Sequence, residues 1–152
     1  MKKRIAFVHN AMWEMYNFRG ELLQELKAKG YEITVICPPD EKNAHYFTDL
    51  GIKLLTVPMS RKGTNIKEDV QLVKNLFKVY KKEKFDLVFH YTIKPNIYGT
   101  LSAKLAGIKS IAITTGLGYV FLHNNITSLI AKFMYKFSLS FANEVWFLND
   151  DD

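Results

Sequence analysis

The segment FDLVFHYTIKPNIYGTLSAKLAG, residues 85–107, gathers a histidine, two hydroxyls, an ammonium and an amide at what reads as one strand end. An apolar run leads into His90, Tyr91, Thr92 and Lys94, and Pro95 and Asn96 follow. His90 is of the type that moves protons near neutral pH. Lys94 sits just before a helix start, where unpaired backbone N–H groups attract anions, so a phosphate or carboxylate can be held there. Tyr91, Thr92 and Asn96 supply hydroxyl and amide groups that pair with sugar hydroxyls. The plainer alternatives are a packing histidine and a solvated lysine.

Such a cluster needs a scaffold to aim it. The stretches LKAKGYEITVI, FTDLGIKLLTV and AKLAGIKSIAI each end a helix-like segment on a glycine and then enter a β-branched run. Gly30, Gly51 and Gly107 suit the left-handed position that stops a helix. A βαβ unit repeated in this way predicts a parallel sheet. Strands are expected near 4–8, 32–36, 53–57, 86–89, 110–114 and 144–148, and helices near 19–29, 43–50, 66–82, 95–106 and 126–142. In the third helix, Ile66, Val70, Val73, Phe77 and Tyr80 form an apolar stripe read as core. Pro95 fits a first helical turn. The fold class is α/β, a doubly wound, Rossmann-like parallel sheet of about six strands in the order 3-2-1-4-5-6.

In such sheets ligands bind beyond the strands' carboxyl ends where the order reverses, here between the first and fourth strands. Three loops flank that crevice: HNAMWEMYNFRGEL from His9, HYTIKPN from His90, and TTGLGYVFLHNN from Thr114. The first lacks G-x-G-x-x-G, which argues against a dinucleotide, and no G-x-x-x-x-G-K-[ST] phosphate loop is present. Gly116 and Gly118 permit close backbone approach to a ligand or simply form a turn.

The chain carries a formal net charge of +6. Basic residues between Arg61 and Lys84 outnumber Glu68, Asp69 and Glu83, which favours acidic partners or a solvated helix face. No nucleic-acid motif accompanies the charge, so nucleic acid is not expected. The lone Cys37 forms no internal disulfide, and with the scattered histidines it builds no metal set. No run is apolar and long enough to span a bilayer, and MKKRIAFVHN lacks a signal peptide's apolar region, which points to the cytoplasm.

HYTIKPNIYG after the fourth strand, TTGLGYVF after the fifth and EVWFLNDDD at the end together resemble the N-terminal half of a family 4 glycosyltransferase of the bacterial capsule and O-antigen type. The resemblance covers essentially the whole chain. It implies one half of a GT-B fold, in which the N-terminal domain binds a lipid-linked saccharide acceptor, often polyprenyl-diphosphate-linked. The other domain holds a nucleotide-sugar donor, the anomeric configuration is kept, and no cofactor or metal is needed. On this basis His90 would be catalytic, near the transferred sugar. Asn10, Phe18, Arg19, Gly20, Tyr91, Thr92, Lys94 and Asn96, with Gly116, Leu117, Gly118 and Tyr119, would line the acceptor side. Residues 1–152 are then one N-terminal domain without its donor-binding partner, excised from a longer enzyme or left by a truncated gene, and alone should not transfer sugar.

Two other readings stay open: a free-standing module for an anionic metabolite, and a peripheral membrane adaptor. The second draws on the helix ITSLIAKFMYKFSLSFA, whose Ile126, Ile130, Phe133, Phe137 and Phe141 form one stripe. That stripe either covers a sheet edge or lies on anionic lipid at the inner face of the plasma membrane.

Overall fold

Six short apolar runs lie side by side in one sheet in the computed structural model, which describes residues 2–61, 65–115 and 126–148. They are β1 (Arg4–Val8), β2 (Glu32–Cys37), β3 (Lys53–Thr56), β4 (Leu87–Tyr91), β5 (Lys109–Thr114) and β6 (Glu144–Phe147). All pair in parallel, in the expected order β3-β2-β1-β4-β5-β6. The chain leaves β1 toward β2 on one side and returns to β4 on the other, so the crevice between β1 and β4 is the switch point. The register sets Val8 level with Ile36 and with His90.

Both faces of the central strands β1, β2, β4 and β5 are covered, which is why those strands read as continuous apolar runs. On one face α1 (Met12–Ala28) and α2 (His45–Thr48) bury Met12, Met15, Leu23 and Phe47 against Phe7, Val35, Tyr91 and Ile113. On the other, α3 (Ile66–Glu83), α4 (Thr100–Ala106) and α5 (Ile126–Leu139) pack Leu72, Leu76, Tyr80, Ala103 and Tyr135 against Ala6, Val8, Ile36 and Val88. A π-helical turn, Pro95–Gly99, leads directly into α4. Gly30, Gly51 and Gly107 take φ values of +90°, +60° and +75° after α1, α2 and α4, as their placement in the sequence predicts. Asn65 caps α3, accepting from the Lys67 N–H at 3.1 Å while its amide donates to the Glu68 carboxylate at 2.9 Å.

Three expectations change. First, α1 begins at Met12 and not near residue 19, so the connection from β1 is a three-residue turn, His9 to Ala11. Trp13, Phe18 and Leu22 are exposed along this helix and blur its apolar period. Second, the buried face of α3 is Asp69, Leu72, Leu76, Tyr80 and Glu83, while Ile66 and Val70 face solvent. The inward stripe is interrupted by two acids whose partners are remote in sequence. Glu83 receives Lys53 at 2.7 Å and Arg4 at 3.0 Å, and the Lys53 hydrogen bond leads the causes that hold its carboxyl below the usual range.

Third, α5 turns its polar side inward. Ser128, Tyr135 and Ser138 are buried, whereas Ile126 is 77% and Phe133 70% exposed, with Leu129, Ile130 and Phe137 exposed beside them. The Tyr135 hydroxyl takes a hydrogen bond from the Asn96 amide at 3.0 Å and pairs with the Thr114 hydroxyl at 2.9 Å. Hydrogen bonds therefore help to dock this helix, and its aromatic stripe does not cover the sheet edge.

Candidate functional site

The short β1–α1 turn decides which side chain reaches the crevice. His9 follows Val8 directly, and its backbone N–H donates to the Ile36 carbonyl at 3.1 Å. Its ring then folds back so that Nδ1 accepts the Ala11 N–H at 3.0 Å. This satisfies one of the amides left over at the start of α1, where Ala11 has no capping side chain of its own. Burial lowers the His9 pKa to about 4, with the nearby Glu14 carboxylate opposing that trend and Arg19 and Arg61 adding to it. The ring is neutral at physiological pH.

One turn into α1, Glu14 Oε2 lies 3.8 Å from His9 Nε2, and its other oxygen is held by Arg61. Arg19 stands with its guanidinium carbon 5.2 Å from the centre of the Tyr91 ring, a cation–π arrangement. Burial pushes the Tyr91 phenol above its usual range, against the pull of Arg19. His9, Glu14, Phe18, Arg19, Tyr91, Thr115 and Leu148 enclose an open cavity of about 330 Å³. These residues come from the carboxyl ends of β1, β4, β5 and β6 and from the first turns of α1, so the cavity occupies the switch point. Its size falls at the lower end of the range of small-molecule sites.

The residues expected there divide into two groups. Phe18, Arg19 and Tyr91 do line the cavity. Asn10 and Thr92 stand just beyond the paired ends of β1 and β4, and the side-chain oxygens of both are buried without a hydrogen-bond partner. Thr92 also adopts φ +69°, a left-handed conformation unusual for a β-branched residue, where the chain swings out of β4. Gly116, Leu117, Gly118 and Tyr119 lie outside the described residues.

His90, Lys94, Asn96 and Gly20 are corrected. Strand alternation points His90 at the α3–α4 layer, 0% exposed, where Nε2 lies 2.8 Å from the Tyr80 hydroxyl and Nδ1 lies 3.3 Å from the Thr100 hydroxyl. Burial alone lowers its pKa to about 3. It is a neutral packing residue and reaches no crevice. The Lys94 ammonium is turned away from the switch point, 2.8 Å from Asp69 Oδ1 and 2.7 Å from the Ser60 hydroxyl, and with these two residues it lines a separate cavity beside α3. Asp69 also accepts the Tyr98 hydroxyl at 2.8 Å, which completes a closed buried network. Asn96 ties the π-helical turn to β5 by donating to the Ile113 carbonyl at 3.0 Å. Gly20 lies against Tyr16 within the packed face of α1.

His9, Glu14 and Thr115 belong to loops expected to flank the crevice but were not named as site residues, and Leu148, with Arg61 behind Glu14, was not expected there at all. For His9 a signal existed: an ionisable residue directly after the first apolar run. Glu14 depends on where α1 starts, and Thr115 and Leu148 on which strand ends the sheet brings beside β1 and β4. Among the described residues no group of His, Cys, Asp or Glu is arranged to hold a metal ion.

The model of the family described as glycosyl transferase 4-like matches residues 4–149. The chain belongs to this family. A glycosyl transferase 4-like chain of this length is a portion of what its curated relatives contain. It is 31% identical over 157 residues to N,N'-diacetylbacillosaminyl-diphospho-undecaprenol alpha-1,3-N-acetylgalactosaminyltransferase of Campylobacter jejuni, covering 98% of this chain and 41% of that protein. It is 24% identical over 123 residues to UDP-Gal:alpha-D-GlcNAc-diphosphoundecaprenol alpha-1,3-galactosyltransferase of Escherichia coli, covering 80% of this chain and 32% of that one. The chain thus spans less than half the length of either.

Among solved structures, MurG of Acinetobacter baumannii superposes with a TM-score of 0.71 at 14% identity, over 98% of this chain and 42% of that one. UDP-GlcNAc 2-epimerase of Methanocaldococcus jannaschii superposes with a TM-score of 0.63 at 16% identity, over 99% of this chain and 40% of that one. An epimerase among the likenesses means the sheet by itself does not choose the chemistry.

Proposed function

We propose that this domain is the acceptor-binding half of a retaining glycosyltransferase of GT-B architecture. The complete enzyme would move a sugar from a nucleotide-sugar to a polyprenyl-diphosphate-linked saccharide during surface-polysaccharide assembly. The observation that carries the reading is the switch-point cavity. It combines a guanidinium from Arg19, a carboxylate from Glu14 and an aromatic wall from Tyr91 and Phe18, which suits a saccharide attached to an anionic group. Both curated relatives are named for transfer to undecaprenyl-diphosphate-linked sugars, which supports the same acceptor class. In this role the domain would hold the acceptor hydroxyl against the donor's anomeric carbon, on the face the leaving diphosphate departs from as retention requires, and its rate advantage would come mainly from that positioning.

The outward face of α5 supports a site of action at the membrane surface. Ile126, Leu129, Ile130, Phe133 and Phe137 are exposed together, with Lys136 exposed on the same helix. An exposed apolar face with basic residues on its flank fits the interface of an anionic bilayer. No helix among the described residues is long and apolar enough to cross one. An acceptor whose lipid tail stays in the bilayer would be met by a domain lying on that surface.

The deciding experiment uses the longer protein that carries this domain. Transfer from a panel of nucleotide-sugars to a synthetic undecaprenyl-diphosphate saccharide is measured for the parent and for Arg19→Ala. The expected loss in kcat/KM is about tenfold to a hundredfold, as for a charge-assisted hydrogen bond. Unchanged kcat/KM, or product with inverted anomeric configuration, defeats the reading.

A further inference from the structure

His9 and Glu14 present complementary groups across a gap that neither closes alone. Because His9 Nδ1 accepts the Ala11 N–H at 3.0 Å, the proton of the neutral ring sits on Nε2. That Nε2–H faces the cavity 3.8 Å from Glu14 Oε2, which is too far for a hydrogen bond between them. Glu14 is steadied from behind by Arg61. One oxygen atom about 2.8 Å from each group bridges the gap with ordinary geometry. It must donate to the carboxylate and accept from the ring.

We propose that His9 and Glu14 form a seat for a single hydroxyl of the saccharide acceptor, which donates to Glu14 Oε2 and accepts from His9 Nε2–H. The seat rests on the acceptor reading above and adds the group that is gripped. Its chemistry is selective. A phosphate dianion has no proton for Glu14 and is repelled by its charge, and an ammonium offers no lone pair to the histidine. Arg19, which lines the same cavity, is left for the anionic part of the acceptor. The backbone N–H at Ala11 also fixes the role of His9: removing its Nε2 proton would require a protonated Nδ1 facing another N–H. His9 is therefore a donor in the seat and not a base.

The test uses the isotope-labelled 152-residue chain and NMR, with methyl N-acetyl-α-glucosaminide and its monodeoxy analogues as probes. The expected results are a His9 ring in the Nε2–H form at neutral pH, and shifts at His9 and Arg19 on adding the parent glycoside. One deoxy analogue should bind roughly tenfold more weakly, about the worth of one hydrogen bond. Glu14→Ala should weaken the parent glycoside by a similar factor and leave that analogue unchanged, as coupling through one contact requires. Arg61→Ala, which keeps the carboxylate, should retain the discrimination. A His9 ring protonated on Nδ1 overturns the seat. So does a Glu14→Ala variant that binds all the glycosides as the parent does, while shifts at Arg19 would still uphold the acceptor reading. If no glycoside moves any resonance of the cavity, Arg19 included, both the seat and the acceptor reading fall.

Discussion

His9 and His90 end neighbouring parallel strands, yet one lines the crevice and the other is sealed beneath the sheet. The register explains the difference. Val8 is level with His90, so His90 shares the α3–α4 face with Val8, and His9, one residue further, joins Tyr91 on the other side with its ring 6.1 Å from the tyrosine's. A one-residue offset in a period of two exchanges a wall of the site for a piece of core. The same division separates the two cations. Arg19 faces the cavity, and Lys94, although it lies in the more polar segment, is consumed by Asp69.

The largest effect should come from that ion pair. Lys94→Ala leaves Asp69 buried with an uncompensated charge and should cost about 3–5 kcal/mol, whereas Arg19→Ala should change stability by less than about 0.5 kcal/mol. Urea midpoints of the two variants measure this contrast, and equal losses would erase it. Next, His90→Ala opens a cavity and strands the Tyr80 and Thr100 hydroxyls, for an expected cost of about 2–4 kcal/mol. His9→Ala loses one hydrogen bond to a helix start and should cost about 1 kcal/mol.

Acid should sharpen the comparison further. Both histidines have folded pKa values, about 4 and about 3, below the ordinary 6.5. The unfolded chain therefore binds more protons than the folded one between pH 6.5 and about 4. Stability is full above this window and falls as pH drops through it, by up to about 1.4 kcal/mol per pH unit for each histidine. His90→Leu should remove about half of that slope in unfolding curves collected from pH 6.5 to 4.5. The smallest effect on stability, within about 0.5 kcal/mol, is expected for Phe133→Ser on the exposed side of α5. The same substitution should nonetheless reduce sedimentation with anionic vesicles severalfold, and unaltered sedimentation would leave α5 without a membrane role.

These contrasts also mark how far the sequence could be read. Strand positions and order followed from glycine-stopped helices entering β-branched runs, because backbone conformation and burial on both faces leave a local imprint. The parity of a strand end leaves none. Whether His90 or its neighbour faces the crevice depends on the pairing of Val8 with His90, two residues brought together only by the folded sheet. Lys94 misled for a related reason: its partner Asp69 sits in a helix whose apolar stripe, read locally, excluded it. In α5 the buried Tyr135 answers to Asn96 and Thr114, so its polar side packs inward against the usual rule. Glu14 joins the expected Arg19 in the site because α1 begins at Met12, where the His9 ring takes the Ala11 N–H.

Gly99 carries a further consequence. A Cβ built on it would stand 2.4 Å from the His90 ring, so the imidazole occupies the space a side chain would need. The two positions share one volume, so they are expected to change together in evolution. A lineage that drifts to alanine at 99 must first or simultaneously accept a smaller residue at 90, and a lineage that keeps the histidine keeps the glycine. Covariation between these sites would trace a shared volume, and it would be a mistake to take invariance of the histidine as the signature of catalysis.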